Sequence, residues 1–137
     1  MANYKEKPFS NDNGTANSNG DNISVTIKTH HDKKGGHPHI IIEDIDDKHV
    51  SVGLSTKSKK GKNATNYAME KSPFNDGKKS YMRRQGIVAP KREYSGQRRG
   101  VLTSKDYAQA KTYGERAKQK YLHKRNNKKS NDVPNTQ

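Results

Sequence analysis

Residue types able to act on a phosphodiester gather between Gly36 and Lys62: His37, then Ser55, Thr56 and Lys57, followed by Lys59, Lys60 and Lys62. Cleaving RNA without a metal needs a base for the ribose 2′-hydroxyl proton, an acid for the leaving oxygen and cations on the phosphate. Histidine titrates in the useful range, and hydroxyl and ammonium groups hold phosphate oxygens. His37 stands before Pro38 at the entrance of the aliphatic run "HIIIEDI", and Ser55, Thr56 and Lys57 end the run "HVSVGLSTK". A turn at Asp46-Asp47 would join the two runs as an antiparallel hairpin. Positions about nine residues before and after that turn then face each other, which puts His37 beside Thr56 and Lys57. The same geometry suits a rim that only holds phosphate, so these residues leave cleavage and binding both open.

The elements that must position them are short. "ISVTIKTHH" alternates Ile23, Val25 and Ile27 on one face, a strand signal, and Ile40 to Ile42 run on without alternation, as in a strand buried on both faces. Val50, Val52 and Leu54 supply the third strand, and "SYMRR" and "QGIVAP" two more, the last stopped by Pro90. From Thr103 to about residue 125 the pattern changes. Thr103 with Asp106 resembles a capping box, and Tyr107, Ala110, Gly114, Ala117 and Tyr121 form one stripe at helical spacing. Two tyrosines and three small residues let that helix lie close against a sheet. The expectation is one α+β domain over 23–125, a small antiparallel β barrel plus a C-terminal helix. The Asn-, Gly- and Ser-rich residues 1–22 and the polar tail 126–137 are expected to stay disordered.

Composition limits the function. The 137 residues carry 28 Lys and Arg against 14 Asp and Glu, with only 26% hydrophobic residues, so one small core is expected. Residues 1–56 hold 6 basic and 8 acidic side chains and residues 57–137 hold 22 and 6, so a polyanion would be met by the second half. Cysteine is absent, which excludes disulfides and thiolate zinc sites and suits a reducing cytoplasm. No run approaches the ~20 apolar residues of a membrane span, and no apolar leader begins the chain, so a cytoplasmic protein without a membrane partner is expected.

Cations and aromatics interleave at Tyr81, Arg83 and Arg84, and again at Arg92, Arg98 and Arg99 around Tyr94. With Lys59, Lys60 and Lys62 these suit phosphate contacts plus occasional base stacking. No helix-turn-helix, zinc finger, KH or RNP1 pattern supports sequence-specific groove reading. His30, His31, His37, His39 and His49 beside Asp44, Asp46 and Asp47 lack a metal-ligand spacing, and no Walker motif is present, so neither metal nor cofactor is expected. The carboxylates of "EDIDD" read as turn residues that keep an edge soluble.

The order of these parts resembles the PemK/MazF superfamily of small toxin endoribonucleases. Gly36-His37-Pro38, Thr56, Ser80-Tyr81, Ile87, Lys91 and Gly100-Val101-Leu102 fall in the family's order over about residues 33–122. His37 departs from it, standing where an arginine usually precedes the proline. "LSTKSKKGK" looks like the branch restrained by RNA antitoxins. The resemblance implies an SH3-like barrel, RNA as substrate, His37, Ser55, Thr56 and Lys57 as catalytic candidates, and an antitoxin as partner. The alternative is a non-enzymatic nucleic-acid binder of a mobile element, such as an inhibitor of a nucleic-acid-guided nuclease. Ribosome-associated binding shares the composition, and nothing in the sequence fixes the oligomeric state.

Overall fold

The computed structural model describes residues 22–60 and 64–132. The expected N-terminal arm therefore lies, but for Asn22, outside the described residues, as do Lys62 and residues 133–137. In chain order the elements are β1 (Ile23–Asp32), β2 (Gly35–Ile45), β3 (Lys48–Ser55), β4 (Lys59–Lys60), β5 (Ala64–Thr65), β6 (Tyr67–Ala68), β7 (Tyr81–Pro90), a 3-10 turn (Lys91–Glu93), β8 (Tyr94–Leu102) and α1 (Ser104–Asp132). The protein is α+β. Six strands form one antiparallel sheet in the order β6-β7-β3-β2-β1-β8, and β4 and β5 pair separately.

The sheet is strongly curled. β7 and β8 are four places apart in it, about 19 Å if it were flat. Yet only the turn Lys91–Glu93 joins them, and the chain from Pro90 to Tyr94 reaches at most about 14 Å. The Tyr94 hydroxyl on edge strand β8 also lies 2.7 Å from Ser51 Oγ on β3, across two intervening strands. No ladder joins β8 to β6 or β7 among the described residues, so the expected closed barrel is a curled, open sheet.

One face of the sheet meets the helix. Ile27, Ile40, Val52, Leu54, Met82 and Leu102 bury against Ala110 and Tyr113 of α1. The small-residue stripe works as expected, with Gly114 against Ile42 and against Gly86 of β7. Thr103 caps the helix, its Oγ1 accepting from the Asp106 N–H at 3.2 Å and its carbonyl from the Tyr107 N–H at 2.9 Å. The Asp106 carboxylate is fully buried and turns away to accept from the Tyr67 hydroxyl at 3.0 Å and the Glu70 N–H at 2.8 Å. Among the described residues no helix is long and apolar enough to cross a membrane.

Three features differ from the sequence reading. "SYMRR" and "QGIVAP" form one strand, β7, with Pro90 at its end, where a missing N–H costs no ladder bond. β8 was not legible, because Ser95 to Arg99 of this edge strand are exposed and carry no apolar side chain. The helix continues to Asp132 instead of ending near 125, since no glycine or proline interrupts "NNKKSND" before Pro134.

Candidate nucleic-acid interface

The β2–β3 ladder runs from Ile45 opposite Lys48 to His39 opposite Gly53, with an irregularity between Ile41 and Glu43. A bulge there shifts the register by one residue. The ladder ends at His39 opposite Gly53, so His37 has no paired residue on β3 among the described residues. The register of that last pair lines it up with Ser55, not with Thr56 or Lys57. Lys57 belongs to its own turn, its N–H donating to Ser55 Oγ at 3.0 Å and its carbonyl accepting from Asn66 Nδ2 at 2.9 Å. Thr56 is exposed, and among the described residues no hydrogen bond or ion pair joins His37 to Ser55, Thr56 or Lys57. Arg83 comes to this end of the sheet instead. A Cβ on Gly53 would lie 3.1 Å from His39 Nε2 and 3.2 Å from Arg83 Cγ, so the imidazole and the arginine stem flank the glycine.

Sequence reasoning missed what lies on the curled face away from the helix. His30, His39 and His49, 7%, 8% and 4% exposed, meet there around Tyr94. Ring centroids are 4.8 Å apart for His30–Tyr94 and His49–Tyr94 and 5.1 Å for His30–His39. Each histidine has an assigned partner. His39 Nδ1 lies 2.9 Å from Ser51 Oγ, which is itself 2.7 Å from the Tyr94 hydroxyl. His30 Nε2 is 2.9 Å from Glu93 Oε1. His49 sits between Lys28 Nζ at 3.1 Å and Asp44 Oδ1 at 2.6 Å. An ammonium only donates, so His49 Nε2 faces Lys28 as acceptor while Nδ1 faces the Asp44 carboxylate.

Burial pushes His39 down to about 4, helped by the nearby His30, His37 and Arg83, while Asp32 acts the other way. Burial also raises the Tyr94 phenol, against the hydrogen bond from Ser51. Burial thus favours the neutral forms of His39 and Tyr94 inside the network. Alternation along one strand could relate His37 to His39, but nothing in the sequence showed that β1, β3 and β8 would fold their own polar residues onto the same spot. Among the described residues no group of three or more His, Asp or Glu side chains is arranged to hold a metal ion.

The carboxylates of "EDIDD" do more than keep a turn soluble. Glu43 pairs with Lys118 at 3.0 Å, Asp44 with Lys91 at 3.3 Å and Asp46 with Arg125 at 2.6 Å, and Asp46 also accepts from Tyr121 at 2.7 Å. The acidic side chains thus tie helix and connector to the β2–β3 turn. Lys57, Lys59, Arg83, Arg84, Arg92, Arg98 and Arg99 have no carboxylate within ion-pair distance among the described residues. Their placement differs from the expected clusters. Arg83 lies beside His39, whereas Arg84 reaches the helix face, donating to the Thr65 carbonyl at 3.0 Å and the Tyr113 hydroxyl at 3.4 Å. Arg98 stacks on Phe74 at 3.8 Å, and Arg99 donates to Ser24 Oγ at 3.4 Å. Arg92 is exposed in the 3-10 turn, but Tyr94 points inward and offers no stacking surface beside it. Tyr81 is half-buried where β7 begins, opposite Ser55 and Ala68, and Lys60 lies in β4.

No known protein family, curated protein or solved structure matches the chain. The site must be argued from its own geometry. At one end of the sheet, where β2 begins, β3 ends and β7 begins, a histidine, a hydroxyl and cations without carboxylate partners come to neighbouring strands.

Proposed function

We propose that the protein binds RNA and holds a backbone phosphate at this strand end, with His37, Ser55, Lys57 and Arg83 around it. The observation that supports the reading is the division of charge. Acidic side chains are spent on pairs that fasten the helix and the β2–β3 turn, whereas Lys57 and Arg83 have no carboxylate beside them among the described residues. Hydrogen bonds from ionised donors to a phosphate are about twice as strong as neutral ones. RNA is preferred to DNA because no element suited to groove reading is present and because the chain resembles PemK/MazF toxins. The curled antiparallel sheet followed by a C-terminal helix agrees with a small SH3-like barrel of that kind.

Two consequences compete at this site. A histidine and a hydroxyl at the same end of β2 and β3, His37 and Ser55, favour cleavage, as in a PemK/MazF-like endoribonuclease restrained by an antitoxin. The commitment of His30, His39 and His49 to internal bonds favours holding a phosphate without cutting it, the behaviour of a mobile-element binder or nuclease inhibitor. Single-turnover incubation with mixed RNA in EDTA decides. Cleavage should leave 2′,3′-cyclic phosphate ends and fall ~100-fold or more in His37→Ala, the scale for losing a general acid or base, with RNA binding kept. Intact RNA with binding retained makes the protein a binder, and no RNA binding at all overturns the proposal.

A further inference from the structure

The loop between β6 and β7 encloses a cavity of about 410 Å³ that no part of the strand-end site uses. Its walls include Lys71, Lys78 and Lys79, with Ser80 and Tyr81 where β7 begins. Glu70 is the acidic side chain among them, and it is already engaged: Oε1 accepts from Thr103 Oγ1 at 2.8 Å and Oε2 is 4.0 Å from Lys105. The three lysines have no carboxylate within ion-pair distance among the described residues. The cavity wall therefore carries more positive than negative charge, with Asp76 of the same loop accepting from the Lys78 N–H at 3.0 Å.

A second observation is independent of charge. Ser80 is only 8% exposed and lines the cavity, yet among the described residues its hydroxyl makes no hydrogen bond; only its carbonyl is used, accepting from the Met69 N–H at 3.0 Å. A buried hydroxyl without a partner is left with its desolvation cost not offset, so such groups mark places where a ligand or water completes the bonding. The loop is also held in shape. Ser72 is buried and its Oγ accepts from the Phe74 N–H at 3.2 Å, its carbonyl accepts from the Asn75 N–H at 3.3 Å, and Asn75 and Gly77 turn the chain with φ of 54° and 72°.

We infer that this cavity takes one nucleoside 5′-monophosphate unit, the phosphate on Lys78, Lys79 and the Ser80 hydroxyl and the base against Tyr81. Its size is within the range of small-molecule sites and suits one nucleotide rather than an extended strand. Lysine ammonium groups serve as point charges for phosphate, and a half-buried tyrosine gives a base a face to stack on without reading its edge. The choice of a nucleotide over another small phosphate rests on the RNA-binding reading. The cavity is then where one nucleotide of a bound strand is seated, while the neighbouring phosphate lies near Ser55, which pairs with Tyr81 across β3 and β7.

The test is a titration of the full chain, followed by amide NMR signals, with uridine 5′-monophosphate, uridine, inorganic phosphate and a short oligouridylate in parallel. The monophosphate should shift signals of residues 68–81 selectively, at least 10-fold more tightly than uridine or phosphate alone, and the oligouridylate should shift the same signals. Lys78→Gln with Lys79→Gln, both exposed, and separately Ser80→Ala should weaken monophosphate binding 10-fold or more with the other amide signals unmoved. If the oligouridylate binds but neither it nor the monophosphate moves the loop, the cavity assignment fails and the RNA-binding reading stands. If the monophosphate binds there and the oligouridylate does not bind at all, the cavity serves free nucleotides and the RNA-binding reading fails. Unchanged affinity in the lysine variant, or no response to any probe, overturns the inference.

Discussion

His39 carries the clearest consequence of the buried histidine network. Its folded-state pKa is about 4 against 6.5 when exposed, chiefly because burial penalises the imidazolium, and His30, His37 and Arg83 add repulsion. A histidine lowered in this way is neutral in the fold but takes up a proton on unfolding. Its contribution is therefore fully present above about pH 6.5 and is lost as pH falls toward 4, at most about 3 kcal/mol over that window. Urea unfolding should show stability dropping between pH 6.5 and 4.5. His39→Gln, neutral at every pH and able to keep a bond to Ser51, should flatten that drop. An equal slope in the variant would place the acid sensitivity elsewhere. The site residues were legible in kind but not in address: His37, Ser55 and Lys57 were visible as phosphate chemistry, whereas Tyr94 read as a stacking partner of Arg92, Arg98 and Arg99 and Ser51 carried no signal, because only the curl of the sheet brings the two together.

At the scale of elements, two glycines at the helix–sheet seam should respond differently to the same added methyl. On Gly86 of β7 the new Cβ would lie 2.8 Å from the Tyr113 carbonyl and 3.1 Å from the Ser51 carbonyl, both backbone, so helix and sheet must separate. On Gly114 of α1 it would meet Ile42 Cγ1 at 2.9 Å and Cβ at 3.2 Å, the root of a β-branched side chain that must shift as a whole, while a gain in helix propensity of about 1 kcal/mol offsets part of that cost. Gly86→Ala should cost about 2 kcal/mol in urea unfolding and Gly114→Ala should stay within about 1 kcal/mol of wild type. Equal costs would mean that the seam is looser than described. The same seam explains what the sequence revealed of the fold. β1, β2, β3 and the helix stripe carry apolar periodicity because they bury a face, and those elements were readable. β8 is an edge strand with five exposed residues in a row, four polar and one glycine, and the register near Ile42 depends on a bulge that periodicity does not announce. A one-residue slip there moves the register expected for His37 from Thr56 to Ser55.

Across the whole molecule, charge decides the partner while topology decides which charges can act together. A formal charge of +14 predicts affinity for polyanions, but adjacent arginines in the strands face opposite ways. Arg83 lies beside His39, while Arg84 is held by Thr65 and Tyr113; likewise Arg98 is stacked on Phe74 while Arg99 reaches Ser24. The proposed RNA path follows the strand end and draws on Lys57 and Arg83. Arg84 and Arg98 serve as internal controls of the same charge, already occupied on the other face.

The most direct test measures the affinity of a labelled single-stranded RNA by fluorescence anisotropy from low to physiological salt, in wild type and two double variants. Each phosphate contact on a single strand contributes about −0.7 to the slope of log K against log salt. Wild type should bind with a steep negative slope, and Lys57→Glu with Arg83→Glu should flatten it by about 1.4 and weaken binding at every salt. Arg84→Glu with Arg98→Glu should change the slope by less than half as much. Wild-type affinity that is absent at low salt or indifferent to it, or the larger loss in the Arg84 and Arg98 pair, would contradict an RNA site at the end of the sheet where β2 begins and β3 ends.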